Sequence, residues 1–133
     1  MPAPTSNSLA HKVRFFWPAG IWAAIIFGLS VMPGSSLPKF TLMDFLQPDK
    51  VGHLVVYAVL VALLLWGYRK RDGQWPVKKQ RLQIWGYSIL YGIAIECIQQ
   101  FLTDRHFDVL DIIANIIGCS LGLTIVYFIN RKI

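Results

Sequence analysis

The sequence predicts an all-α, polytopic membrane protein, a bundle of four transmembrane helices with both termini in the cytoplasm. Three observations lead there. At 55% hydrophobic and 15% charged residues the 133-residue chain is too apolar for a soluble domain, since such domains carry about a quarter charged residues. Four segments are long and apolar enough to cross a bilayer, a task that takes about 20 residues for roughly 30 Å of hydrocarbon. The basic residues fall almost wholly on one side of a chain that crosses four times.

The elements follow in order. Residues 1–14 read as a cytoplasmic tail, 15–129 as the membrane domain and 130–133 as a second tail. The first span covers 15–32. It follows a basic start (His11, Lys12, Arg14) and ends in Met32-Pro33-Gly34 instead of a small-x-small cleavage site, so it reads as an uncleaved helix and not a secretory signal. Gln47-Pro48-Asp49 opens the second span, 50–67, with Asp49 placed as its N-cap. The segment from Tyr68 to Arg81 leads to the third span, 83–102, and a turn from Thr103 to Phe107 leads to the fourth, 109–129. The connector from Pro33 to Pro48, with Leu42, Phe45 and Leu46, is expected on the outer interface, as a plain link or as a lid.

Orientation follows from the cations. Lys12, Arg14, Arg69, Lys70, Arg71, Lys78, Lys79, Arg81, Arg131 and Lys132 share one side, and only Lys39, Lys50 and Arg105 lie opposite. The positive-inside rule therefore puts the termini and the middle loop in the cytoplasm. That placement, beside apolar spans and without any binding module, also argues against nucleic acid as the partner of the +6 net charge. The acidic residues are biased the other way. Asp44, Asp49, Asp104, Asp108 and Asp111 are outer, Glu96 lies within the third span and only Asp72 is inner.

Helical spacing sorts the outer polar residues. Lys50, His53 and Tyr57 are spaced i, i+3, i+7 and share one face, with Asp49 beside them. Asp108, Asp111 and Asn115 repeat the pattern, and Glu96 and Gln99 stand one turn apart. At about 1.5 Å per residue, Tyr57, Glu96 and Asn115 lie on the order of 10 Å deep, with His53, Gln99 and Asp111 a turn shallower. Lys50, Arg105 and Asp108 sit near the interface. An ionised residue mid-helix costs about 2.5–3.5 kcal/mol, whereas a polar tie between membrane helices returns about 0.6 kcal/mol. The comparison favours a functional site over a purely structural network, most clearly at Glu96.

Roles follow from side-chain chemistry. Lys50 and Arg105 suit a phosphate or carboxylate, or else snorkel to the headgroups. His53 with Asp49, and Glu96 or Asp111, are the candidates for proton transfer. Tyr57, Gln99, Asp108 and Asn115 are candidates to bind or orient a substrate. A divalent metal on Asp49, His53, Glu96, Asp108 and Asp111 fits the donor types, but two cations share the cluster and neither an HxxxH nor an ExxH pair is present, so no metal and no other cofactor is expected. Ser30, near the outer end of the first span, is the hydroxyl candidate on the cluster's side, and no GxSxG surrounds it. His106 reads as an exposed turn residue. Cys97 and Cys119 read as small buried hydrophobes, and Ala114 with Gly118xxxGly122 as a close-packing stripe.

Two blocks resemble the VanZ-like family of small bacterial membrane proteins. The first is Asp49-Lys50-x-x-His53-x-x-x-Tyr57. The second is Glu96-x-x-Gln99, followed by Arg105-x-x-Asp108-x-x-Asp111-x-x-x-Asn115-x-x-Gly118. The resemblance covers residues 20 to 128 and implies a multi-pass protein of the bacterial inner membrane. It brings a link to resistance against the glycopeptide teicoplanin as an expectation, and no established catalytic mechanism. The function expected is an outward-facing site that binds, and in the stronger form modifies, an anionic envelope lipid, a lipid-linked glycan or a lipoglycopeptide. The alternative is a non-enzymatic ligand-binding or accessory protein of the envelope. A proton-coupled carrier is disfavoured because the polar groups stop halfway down the spans.

Overall fold

A computed structural model describes residues 9–33 and 48–131. They form helices in the order α1 (Leu9–Val13), a 3-10 turn (Arg14–Phe16), α2 (Trp17–Ser30), α3 (Pro48–Asp72), α4 (Lys78–Leu102) and α5 (Val109–Arg131). No strand occurs among the described residues. α1, the turn and α2 make one rod, Leu9–Ser30. The 3-10 interruption has a cause in Pro18, which lacks the N–H that would continue the helical ladder through this turn. Helix thus begins inside the segment expected as a tail.

Each boundary has a local reason. α3 begins at Pro48, whose missing N–H is no loss at a first helical position. Asp49 therefore lies inside the first turn and is not the N-cap that the sequence suggested; its carboxylate still meets the positive end of the helix dipole. α3 ends where Gly73 takes φ 74° and its N–H reaches Arg69 O at 3.0 Å, a left-handed cap that glycine adopts at least cost. The Gln80 side chain accepts from Val77 N–H (3.0 Å) at the start of α4. At its end the Thr103 hydroxyl donates to Gln99 O (2.8 Å) and accepts from Arg105 N–H (3.0 Å).

α3 and α5 make the most extensive contact in the bundle. Glycine creates it. A Cβ on Gly118 would overlap the Leu54 carbonyl, and one on Gly122 would lie 2.6 Å from Ala58 O. The backbones touch where the small-residue stripe was expected to let them. α4 packs on α5 and α3, and α2 closes the other side of α3. The core joins Ile26, Tyr57, Leu60, Val61, Leu65, Ile84 and Cys119. Directed hydrogen bonds fix α2: Trp22 Nε1 donates to Val56 O (2.8 Å), and Tyr91 OH to Ala23 O (2.6 Å).

Large apolar side chains cover the outside, among them Ile25, Phe27, Leu90, Ile117 and Ile125. Such an exterior suits hydrocarbon and not water. Three rods, Leu9–Ser30, Asp49–Asp72 and Val109–Arg131, are long and apolar enough to cross a membrane. α4 matches them in length but is less apolar, because it carries Gln80, Arg81, Gln83, Ser88, Glu96, Gln99 and Gln100. Ser88, Glu96 and Gln99 point inward and are buried. At one end of the bundle guanidinium groups lie over aromatic rings, Arg71 over Tyr68 (4.3 Å) and Phe16 (5.6 Å), and Arg81 over Tyr127 (5.5 Å). Cations beside amphipathic rings are what a membrane–water interface selects.

Two expectations about cysteine part company. Cys119 is buried in the α3–α5 contact, but Cys97 is exposed, since the position after inward-facing Glu96 turns to the outer face of α4. The connector residues Lys39, Leu42, Asp44, Phe45 and Leu46 lie outside the described residues.

Candidate functional site

At the end of the bundle opposite the Arg–aromatic contacts, α3, α4 and α5 converge on His53. The first turns of α3 bring Asp49, Lys50 and His53 to one face, and the first turns of α5 bring Asp111 and Asn115 to meet them. Glu96 arrives from the last third of α4. His53 Nδ1 is 3.0 Å from Asn115 Oδ1 and 3.9 Å from Glu96 Oε1. Its Nε2 is 3.6 Å from Asp111 Oδ2 and 3.9 Å from Asp49 Oδ1. One imidazole therefore touches all three helices, and its side chain is only 11% exposed.

The cations are already engaged. Lys50 Nζ donates to Asp108 Oδ2 at 2.5 Å and to Asp111 Oδ1. Arg105 Nη2 donates to Asp49 Oδ1 at 3.1 Å. Asp108 has a second task, because its Oδ1 accepts from Leu110 N–H at 2.8 Å and so caps α5. Lys50, first, and the Leu110 N–H, second, hold the Asp108 carboxyl below the usual carboxylate range. The outer carboxylates Asp49 and Asp108 are about half open to solvent, whereas Asp111 is buried.

Beneath His53 lies a layer of unsatisfied polar atoms. The Tyr57 hydroxyl, both Glu96 carboxyl oxygens and Asn115 Nδ2 are buried without a hydrogen-bond partner, as is the Ser88 hydroxyl nearer the middle of α4. Leaving such groups unpaired costs about 1–3 kcal/mol each, and more for charged ones. A fold that tolerates several of them in one layer carries a cost that packing alone does not explain.

The expected residues thus sort into two sets. Asp49, Lys50, His53, Glu96, Arg105, Asp108, Asp111 and Asn115 form one connected cluster, with Tyr57 packed below. Gln99 turns away from it: its amide donates to Ser30 O at 2.9 Å and ties α4 to the end of α2. His106 is exposed in the turn, as its position suggested. Gly92 is a residue that sequence reasoning missed. A Cβ there would lie 2.8 Å from Asn115 Nδ2 and 3.3 Å from the Tyr57 ring, so its absence makes room for both. The signal available was the pair of small residues Ser88 and Gly92, at one-turn spacing on the same face of α4 as Glu96.

An apolar groove of roughly 280 Å³ runs along the α3–α5 seam from this cluster, lined by Val51, Leu54, Leu110, Ile113, Ala114 and Ile117, with Lys50 at its head.

Fold and cluster together define a multi-pass helical membrane protein with a buried polar site at one end of its bundle. The chain belongs to the VanZ/LLP1 family, whose model matches residues 15–130. It is also similar to an uncharacterized protein of Schizosaccharomyces pombe, 38% identical over 87 residues, which are 63% of this chain and 49% of that one. The chain thus spans about half the length of the curated relative it matches. That relative is a yeast protein, so the similarity reaches beyond the bacteria named in the sequence-based expectation. No solved structure matches the chain.

Proposed function

We propose that the protein crosses the membrane four times with both termini in the cytoplasm, and that its His53 cluster receives the anionic head of an envelope lipid or lipid-linked glycan from the opposite leaflet. α4 is the fourth span in this reading, its polar residues shielded by α3 and α5. The observation that carries it is the junction of two unlike surfaces at Lys50, whose amine enters the charged cluster while the residue also lines the apolar groove. A lipid has the same two-part character. Its chain would lie along Ile113 and Ile117, and its head would compete with exposed Asp49 and Asp108 for Arg105 and Lys50. His53, with Asp111 and Glu96 on its two edges, is placed to move a proton at the bound head.

A second reading has its own support. Both cations are already paired with carboxylates, which suits recognition without chemistry, as in a ligand-binding or accessory protein of the envelope. Incubating the purified protein with vesicles of anionic lipid, followed by mass spectrometry of the lipid, separates the two. New headgroup species that require His53 mark an enzyme; unchanged lipid in a complex that still binds it marks a recognition protein. Neither binding nor turnover would overturn both.

A further inference from the structure

We infer that Asp49, His53 and Asp111 form a binding site for one divalent first-row metal ion of the zinc or manganese type. The inference does not rest on the lipid reading, since metal binding is measurable without any lipid.

Donor spacing is the first ground. One oxygen of Asp49, one oxygen of Asp111 and one ring nitrogen of His53 all lie within 4.8 Å of one another. His53 Nε2 stands 3.6 Å from Asp111 Oδ2 and 3.9 Å from Asp49 Oδ1. These gaps are too long for hydrogen bonds. Ligands held about 2.0–2.2 Å from one ion lie roughly 3–4 Å apart, so the same gaps suit a shared cation. One imidazole with two carboxylates is a donor set that zinc and manganese accept.

The far edge of the ring is the second ground. Asn115 Oδ1 lies 3.0 Å from His53 Nδ1 and is placed to accept from it, an arrangement that leaves Nε2, which faces the two carboxylates, available to a cation between them. Metal-binding histidines behave in this way, donating the far N–H to a carbonyl or carboxylate that fixes the ring. Glu96 stands at that far edge, 3.9 Å from Nδ1, fully buried and with neither oxygen hydrogen-bonded. It leaves a buried, unpartnered carboxyl against the edge of the ring opposite the donor set.

Charge is the third ground. Three carboxylates, of Asp49, Asp108 and Asp111, are paired with only two cations, Lys50 and Arg105. The excess of negative charge is what a bound cation offsets. The ion would also provide, beside Lys50 and Arg105, a positive point that an incoming phosphate or carboxylate can reach.

The test uses the full-length protein in detergent, stripped with a chelator, repurified and titrated with Mn²⁺ or Zn²⁺. The expected result is one ion per chain. His53→Ala and Asp111→Asn should each lose binding by at least about a hundredfold, and Asn115→Leu, which only positions the ring, by about 10–100-fold. Asp104→Asn, an exposed acid in the neighbouring turn, should bind as the unaltered chain does. Because site variants can fail to fold, pulsed electron paramagnetic resonance of Mn²⁺ on the unaltered protein provides a second readout, and a coordinated imidazole nitrogen should appear. No stoichiometric binding, binding indifferent to His53 and Asp111, or a bound ion without a nitrogen ligand would each overturn the inference.

Discussion

His53 holds the site together because its two ring nitrogens face different groups, Asn115 and Glu96 on one edge, Asp49 and Asp111 on the other. Two residue-scale predictions follow from the groups around it. Glu96 is buried with no hydrogen bond, so replacing it with an apolar residue of similar length should stabilise the fold. Glu96→Met is expected to be more stable by on the order of 1 kcal/mol in thermal unfolding, while losing whatever the site does. A loss of stability would mean that the carboxyl has a structural partner. Asp108 supplies the pH dependence. Its folded pKa is lowered by Lys50, so its contribution is complete above the ordinary carboxylate range near about 4 and is lost as pH falls through the lowered value. Asp108→Asn should therefore flatten the acid limb of a stability–pH curve and leave the neutral region nearly unchanged in slope. At this scale the sequence was informative about which residues meet, because i, i+3, i+7 spacing fixes a face. It was silent on pairing: nothing in the chain says that Lys50 and Arg105 are held by carboxylates, or that Gln99 turns toward Ser30.

Among the elements, the α3–α5 pair determines how close the two halves of the cluster come. Gly118 and Gly122 let the backbones touch, which brings Lys50 to Asp108 and His53 to Asn115. Gly118→Val or Gly122→Val must push the helices apart, at a cost of about 1–3 kcal/mol or more, and should also weaken ligand binding at a site neither residue touches. Gly92→Ala is milder, since its new methyl meets a movable amide and ring, and it should impair the site more than the fold. Comparing unfolding temperature with ligand affinity across the three variants checks this ordering. The GxxxG stripe was legible because close approach demands small residues at one-turn spacing. α4 was the harder element. Its length reads as a span, but its polar inner face lowers its hydropathy, and only packing against α3 and α5 reveals that Ser88, Glu96 and Gln99 are turned away from lipid. The start of α3 at Pro48 also moved Asp49 from cap to first turn, a two-residue shift that propensity rules do not resolve.

On the scale of the whole molecule, the proposal sets the His53 cluster and the Arg–aromatic contacts on opposite sides of a membrane. In a background lacking Cys97 and Cys119, a cysteine at His106 should react with a membrane-impermeant maleimide in intact cells. A cysteine at Gln74, in the α3–α4 turn, should react only after permeabilisation. The reverse pattern would invert the topology. The distribution of Lys and Arg is the sequence ground for this proposed orientation, whereas the groove along Ile113 and Ile117 was not legible there, being a property of two helix surfaces combined. The central claim is that this groove and the charged cluster at its head hold an anionic lipid. Native mass spectrometry of protein extracted with its lipids tests it most directly. The unaltered chain should retain an anionic lipid, and folded Lys50→Ala and Arg105→Ala variants should lose at least about tenfold of it, or about 1.4 kcal/mol. Equal retention in all three, or no preference for anionic over zwitterionic lipid, would contradict the account.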